Sequence, residues 1–198
     1  MNNLTEVVKQ LIIINVIIFV ATIIPPLSEL VRNDLIFHPP GRGFKPYQII
    51  SHMFMHDGRS PTHLFFNMFT LYFFGPMIER VWGPKKFLVY YMLCGLGALG
   101  LHVLIGSFTG GASPVLGASG AISGVVLAFA MLFPNLKVML LIPPIPMKAK
   151  YMVLIFLGID LYLGLSSYNT GIAHFAHLGG ALFGFLLILF WRKFPFRM

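Results

Sequence analysis

Hydrophobic residues run along this chain in six blocks: Leu11–Leu27, His63–Ile78, Phe87–Phe108, Ser119–Phe133, Tyr151–Leu165 and Ile172–Trp191. Charged residues collect between the blocks rather than inside them. A helix that crosses a hydrocarbon core of about 30 Å needs about 20 residues. The second, fourth and fifth blocks are shorter than that, yet their apolar character sets them with the others. The pattern predicts an all-α integral membrane protein, a bundle of six transmembrane helices. No internal repeat is evident, and the chain reads as one membrane domain over residues 1–198. The longest outer connection is Ser28 to Thr62.

Composition fits that reading. Of 198 residues 57% are hydrophobic and only 10% charged, against roughly 25% charged in a soluble domain, and the mean hydropathy is +0.83. The first block is as long as a span and no small-residue cleavage site follows it, so it reads as a helix rather than a signal peptide. One cysteine, Cys94, excludes an internal disulfide and a CxxC metal site. The net charge of +8 is not gathered into a patch and implies no nucleic-acid partner; it marks topology. With an even number of crossings both termini share a side. On that side lie Lys9, Arg80, Lys85, Lys86, Lys137, Lys148, Lys150, Arg192, Lys193 and Arg197, and on the other Arg32, Arg42, Lys45 and Arg59. The positive-inside rule then places both termini in the cytoplasm, with a bacterial inner membrane as the expected compartment. Trp82 and Trp191 fall at inner ends, where amphipathic rings prefer the interface.

Two connections carry Gly and Pro. Asn135–Met147 contains Leu-Ile-Pro-Pro-Ile-Pro and is not helical throughout, because proline lacks the N–H donor; it is expected along the inner interface. The outer connector Gly106–Gly117 holds Gly110, Gly111 and Pro114, and irregular backbone at membrane depth is tolerated only where protein buries it or water lines it.

Polar residues inside the blocks are costly and are functional hypotheses by default. At about 1.5 Å per helical residue, Ser119 stands roughly 21 Å from the inner end at Phe133, His177 roughly 21 Å from Trp191, and His63 and Asn67 roughly 24 and 18 Å from Glu79. All four reach a similar depth, which predicts a buried polar site. His63 and Asn67, four apart, share a helix face. Gly120/Gly124 and Gly180/Gly184 form GxxxG pairs beside Ser119 and His177, where small residues let helices approach closely. A serine and a histidine that meet are a nucleophile and a base. A helix start supplies free N–H groups and positive dipole for an oxyanion. His177 would then take the serine proton, with His63, Asn67 and the Ser119 N–H as oxyanion donors. Asp160, roughly 15 Å above Lys150, sits near the midplane, so a Ser–His dyad is the simpler expectation. The competing readings are a Ser119 that only caps its helix and membrane histidines that only bind neighbouring helices, as expected for His102. His52 and His56 could hold a metal with His63 or His174, but no HExxH accompanies them. Neither a metal nor a cofactor is expected.

These motifs resemble the rhomboid family of intramembrane serine proteases over about Tyr47 to Trp191. Gly117-Ala118-Ser119-Gly120 is similar to that family's GxSG, Ala176-His177-Leu178-Gly179-Gly180 to its AHxxG, His63-Leu-Phe-Phe-Asn67 to its HxxxN, and Phe54-Met55-His56 also follows its pattern. The resemblance implies a serine endopeptidase that cleaves single-span membrane proteins at small residues near a helix-destabilised stretch, with Ser119 as nucleophile, His177 as base and Gly117, Gly120 and Gly180 supporting the motifs. Its partners would be transmembrane substrates and the lipid bilayer; oligomeric state has no signature in the chain. Two departures stand out. Ser123 occupies the position where the family often has an aromatic ring stacked on the histidine, leaving the ring of His177 to Phe175 or an outer loop. Tyr47-Gln48 replaces the family's Trp-Arg pair in the first loop. Gly164–Gly171, with Ser166, Ser167 and Asn169, is a candidate mobile cap. The alternative is a catalytically silent rhomboid-like scaffold that binds membrane helices. A small transporter would show paired, interrupted half-repeats, and none is found.

Overall fold

The computed structural model describes residues 4–139, 144–166 and 173–193. Eight α-helices account for most of them: α1 (Glu6–Ile23), α2 (Pro25–Leu35), α3 (Gln48–Ser51), α4 (Pro61–Trp82), α5 (Pro84–Phe108), α6 (Ser119–Leu132), α7 (Ala149–Leu165) and α8 (His174–Lys193). Three of these helices, α1, α5 and α8, are long and apolar enough to cross a membrane, and α6 is apolar but shorter.

The expected first block, Leu11–Leu27, is two helices. Ile24 leaves the helical region (φ −85°, ψ 115°), as a residue before proline tends to. Pro25 and Pro26 then open α2, where a missing N–H costs nothing. Proline also opens α4 and α5. Gly83 joins these two at φ 81°. The Pro-rich connection between α6 and α7 pairs Lys137–Met139 with Pro146–Lys148 as a short antiparallel hairpin, β1 and β2. Most of the candidate cap, from residue 167 on, lies outside the described residues.

Helices α5, α6 and α8 form the centre, and glycine sets their spacing. A Cβ on Gly180 would lie 1.8 Å from the Gly120 carbonyl oxygen, and one on Gly124 would lie 2.4 Å from Cys94 Sγ. On Gly97 it would lie 2.1 Å from the Phe183 ring, and on Gly184 2.3 Å from the Tyr90 hydroxyl. That hydroxyl donates to the Gly124 carbonyl at 2.9 Å. Both GxxxG pairs therefore act as close-packing surfaces, α6 against α8 with α5 behind. α4 packs on α6 through Phe74 and Phe129, ring centroids 4.6 Å apart.

α1 is pinned by a charge from α4. The buried Glu79 carboxylate accepts from the backbone N–H groups of Val7 (3.1 Å) and Val8 (3.0 Å) and from the Thr5 hydroxyl. An anion at a helix N-terminus meets unsatisfied donors and the positive end of the dipole. α7 is the most loosely held long helix: of its 17 residues only Ala149, Met152 and Val153 are buried. Leu154, Ile155, Leu161, Tyr162 and Leu165 are exposed, the composition of a lipid-facing surface, while exposed Phe156 and Ile159 line a cavity.

Candidate active site

The segment that delivers Ser119 is tied down on both sides. Val115 and Phe37 exchange backbone hydrogen bonds of 3.0 and 3.1 Å, and the Gly117 N–H donates to the His52 carbonyl at 2.9 Å. Gly117 has φ 116°, a conformation that L side chains rarely adopt, and a Cβ there would lie 2.9 Å from the His63 ring. Glycine is required on both counts. α6 begins two residues later.

Ser119 is not the cap of this helix but its first residue; Ala118 holds the cap position. Ser119 Oγ lies 2.9 Å from His177 Nε2 on α8. Behind the ring, His177 Nδ1 lies 3.2 and 3.3 Å from the two Asp160 carboxylate oxygens on α7. His174 Nδ1 lies 2.7 Å from Asp160 Oδ1. A carboxylate only accepts, so both imidazoles donate from Nδ1. In neutral His177 that leaves Nε2 as acceptor, and the Ser119 O–H donates to it.

The simple pair expected from the sequence is thus backed by an acid. The helical ruler set Asp160 several ångströms below His177, but it ignored helix tilt and the combined reach of an aspartate and an imidazole. His174 shares the same carboxylate. Phe175 does not hold the His177 ring; Asp160 and His174 flank it, with the two imidazole centroids 6.3 Å apart. The available signal was Asp160 itself. Of six acidic residues it alone lies in the middle of an apolar block, and such a residue calls for a named partner.

Ser119, His177, Asp160, His63 and Asn67 line one cavity of about 810 Å³. The Asn67 amide donates to the His63 carbonyl at 2.8 Å, one turn back, and by its chemistry has a second N–H. The His63 ring packs 5.1 Å from that of His56. Neither nitrogen of buried His56 has a hydrogen-bond partner. Ser123 also lines the cavity, yet its hydroxyl donates to the Ser119 carbonyl at 2.9 Å. It serves the helix backbone rather than the imidazole.

The first loop is seated by Gln48, the residue that departs from the family pair. Fully buried, its Oε1 accepts from the His38 and Lys45 N–H groups at 3.2 and 3.1 Å, and its Nε2 donates to the Asp34 carbonyl at 3.2 Å. An exposed ion pair between Lys45 and Asp34 closes the same turn; the pairing lowers the Asp34 carboxyl and raises the Lys45 ammonium. His52 Nδ1 donates to the Gln48 carbonyl at 2.9 Å. Burial pushes the His52 imidazole down to about 4, and burial with the neighbouring His63 does the same to His56. Both are neutral at pH 7 and add no charge beside the site.

A metal would find one set of donors among the described residues: one atom each of Asp160, His174 and His177, all within 4.8 Å of one another. The hydrogen bonds already given account for that arrangement. His52, His56 and His63 do not form such a group with His174.

The Rhomboid domain model matches residues 43–194. The chain is 34% identical over 143 residues to the presenilin-associated rhomboid-like protein A, mitochondrial, of Danio rerio, covering 68% of this chain and 36% of the relative. It is 28% identical over 190 residues to the RHOMBOID-like protein 12, mitochondrial, of Arabidopsis thaliana, covering 89% and 55%. It is 32% identical over 148 residues to YdcA of Bacillus subtilis, whose name includes the words rhomboid protease, covering 71% and 65%. The chain therefore spans between about a third and two thirds of the length of these relatives. Two of the three are mitochondrial, so the similarity supports a membrane protein and does not support the expected bacterial inner membrane or the orientation of its termini.

Proposed function

The chain belongs to the rhomboid family, and from that membership and the contact between Ser119 and His177 we propose that it is an intramembrane serine endopeptidase. In this reading α1, α4, α5, α6, α7 and α8 are six crossings of one membrane domain, and both termini lie on the lysine- and arginine-rich side. The substrate is a single-span membrane protein. A continuous helix hides its carbonyls in hydrogen bonds, so a stretch of the substrate unwinds before it enters the cavity.

Ser119 Oγ attacks the exposed peptide carbonyl as its proton passes to His177 Nε2. The oxyanion that forms accepts from the Ser119 N–H, from Asn67 and from His63. His177 returns the proton to the leaving amine, and an acyl-enzyme forms on Ser119. A water, deprotonated by the same imidazole, releases the second product. Gly180 supports this by letting α8 lie against the α6 backbone, Gly120 by letting α6 lie against α5, and Gly117 by adopting the turn that brings Ser119 beside His63.

The observation that carries the proposal is the 2.9 Å separation of Ser119 Oγ and His177 Nε2. Purified protein is incubated in detergent with a panel of single-span substrates, with Ser119→Ala and His177→Ala as controls. Cleavage by the wild type and by neither variant, with one fluorophosphonate adduct mapped to Ser119, is the expected result. Binding of substrate without cleavage or labelling would instead establish a silent helix-binding scaffold.

A further inference from the structure

We propose that Asp160 is the positioning residue of this site: its carboxylate selects the Nδ1–H form of His177 and aims the ring at Ser119, while His174 clamps the carboxylate from its other side. The inference rests on the protease reading and deepens it.

The two Asp160 oxygens stand almost equally far from His177 Nδ1, at 3.2 and 3.3 Å. The ring is thus held along the carboxylate's axis. His174 contacts Oδ1 alone, at 2.7 Å, so Asp160 is located by a residue one turn before the histidine it serves. His174 is buried and packs edge-on to His177. The alternative, a polar cluster that merely satisfies itself, has to explain its place. Asp160 lies in the middle of α7, a helix of apolar residues, with Ile159 before it lining the same cavity and Leu161 after it exposed. A carboxylate in that setting costs several kcal/mol by insertion scales unless it is used. Two apolar residues and a serine-only hydrogen bond would leave His177 free to adopt either tautomer.

Its consequence for the chemistry is direct. With the proton fixed on Nδ1, Nε2 is free to accept from Ser119 in every enzyme molecule. When the Ser119 proton moves to Nε2, the ring becomes a cation beside the carboxylate. Asp160 stabilises that charge without taking up a proton itself. No bond to Asp160 forms or breaks.

Asp160→Asn keeps the shape, but an amide can donate as well as accept and no longer dictates the tautomer. It should lower kcat by roughly 10²–10⁴-fold, as for the buried aspartate of serine triads. KM should stay within about threefold, because ring orientation counts only once proton transfer begins. Asp160→Ala should behave alike, and formate added at concentrations harmless to wild type should restore part of its kcat by filling the vacated carboxylate position in the open cavity. Folded fraction is matched by size-exclusion profile and thermal midpoint, and each protein is assayed both without and with EDTA. Asp160→Asn with near wild-type kcat overturns the inference alone. So does a loss confined to KM, or one that follows the folded fraction with no response to formate. Loss of wild-type activity on adding EDTA also overturns it, since Asp160 and His177 would then be metal ligands. A wild type that neither cleaves nor takes a label on Ser119 overturns the protease reading and this inference with it.

Discussion

Gly180→Ala tests whether glycine contacts set the catalytic geometry. The added methyl would lie 1.8 Å from the Gly120 carbonyl oxygen and 2.7 Å from its carbon. Both are backbone atoms, so no side chain can swing aside. To reach ordinary contact near 3.4 Å, α8 must back away from α6 by about 1.6 Å, because interiors packed to crystal density have no slack to absorb it. His177 lies three residues before Gly180 on the same helix and moves with it. A hydrogen bond of 2.9 Å to Ser119 then opens to about 4 Å or more. Misplacement by 1 Å costs on the order of 10² in rate, and overpacking costs about 1–3 kcal/mol of stability. Gly100→Ala, on α5 with nothing within 4 Å of the new carbon, is the control, and should stabilise by about 0.5–1 kcal/mol. The assay is kcat on a single-span substrate, normalised to the fraction that takes a fluorophosphonate, with thermal midpoints for all three proteins. Gly180→Ala with wild-type kcat and midpoint would refute the reasoning.

Three further outcomes follow from the same geometry. Asn67→Ala and His63→Ala should each lower kcat by about 10²–10³-fold, the usual loss for one oxyanion donor, while Ser119 still takes a label slowly; an effect on KM alone would mean that these residues bind substrate instead. Glu79→Gln keeps one acceptor oxygen but sets an N–H₂ against either the Val7 or the Val8 N–H group, which donate to different carboxylate oxygens, and should cost about 1–3 kcal/mol, read as a lower thermal midpoint with α1 more open to proteolysis; an unchanged midpoint removes the pinning role. His52 and His56 titrate near 4 when folded, against 6.5 for the free group, so the unfolded chain takes up protons first as pH falls. Their contribution is complete above about pH 6.5 and is lost towards pH 4, about 3 kcal/mol each at 1.36 kcal/mol per unit. The thermal midpoint should drop between pH 7 and pH 5, and less steeply in His56→Phe; equal slopes in the two proteins would contradict it.

Position along an apolar helix was legible in the chain. Counting residues from Phe133, Trp191 and Glu79 set Ser119, His177, His63 and Asn67 at one depth, because a helix rises by a constant 1.5 Å per residue. The same count led Asp160 astray by about a turn, since depth along one helix carries neither its tilt nor the reach of its side chains. The division of the first block at Ile24 was written in Pro25 and Pro26, local signals outweighed by the length of the apolar run. Ser123 shared a helix face with Ser119, but whether its hydroxyl would turn to the imidazole or back to its own helix depended on local rotamers. Gln48 was visible only as a departure from a pattern; its role required Asp34, His38 and Lys45 to converge on it from a folded loop. What the chain alone determined was the set of apolar helices and the residue types buried in them, because hydrophobicity and helical rise are local properties. What the tertiary structure decided was which of those residues touch, because contact depends on how closely helix backbones can approach, and at the centre that is governed by the missing side chains of Gly120, facing α5, and Gly180, facing α6.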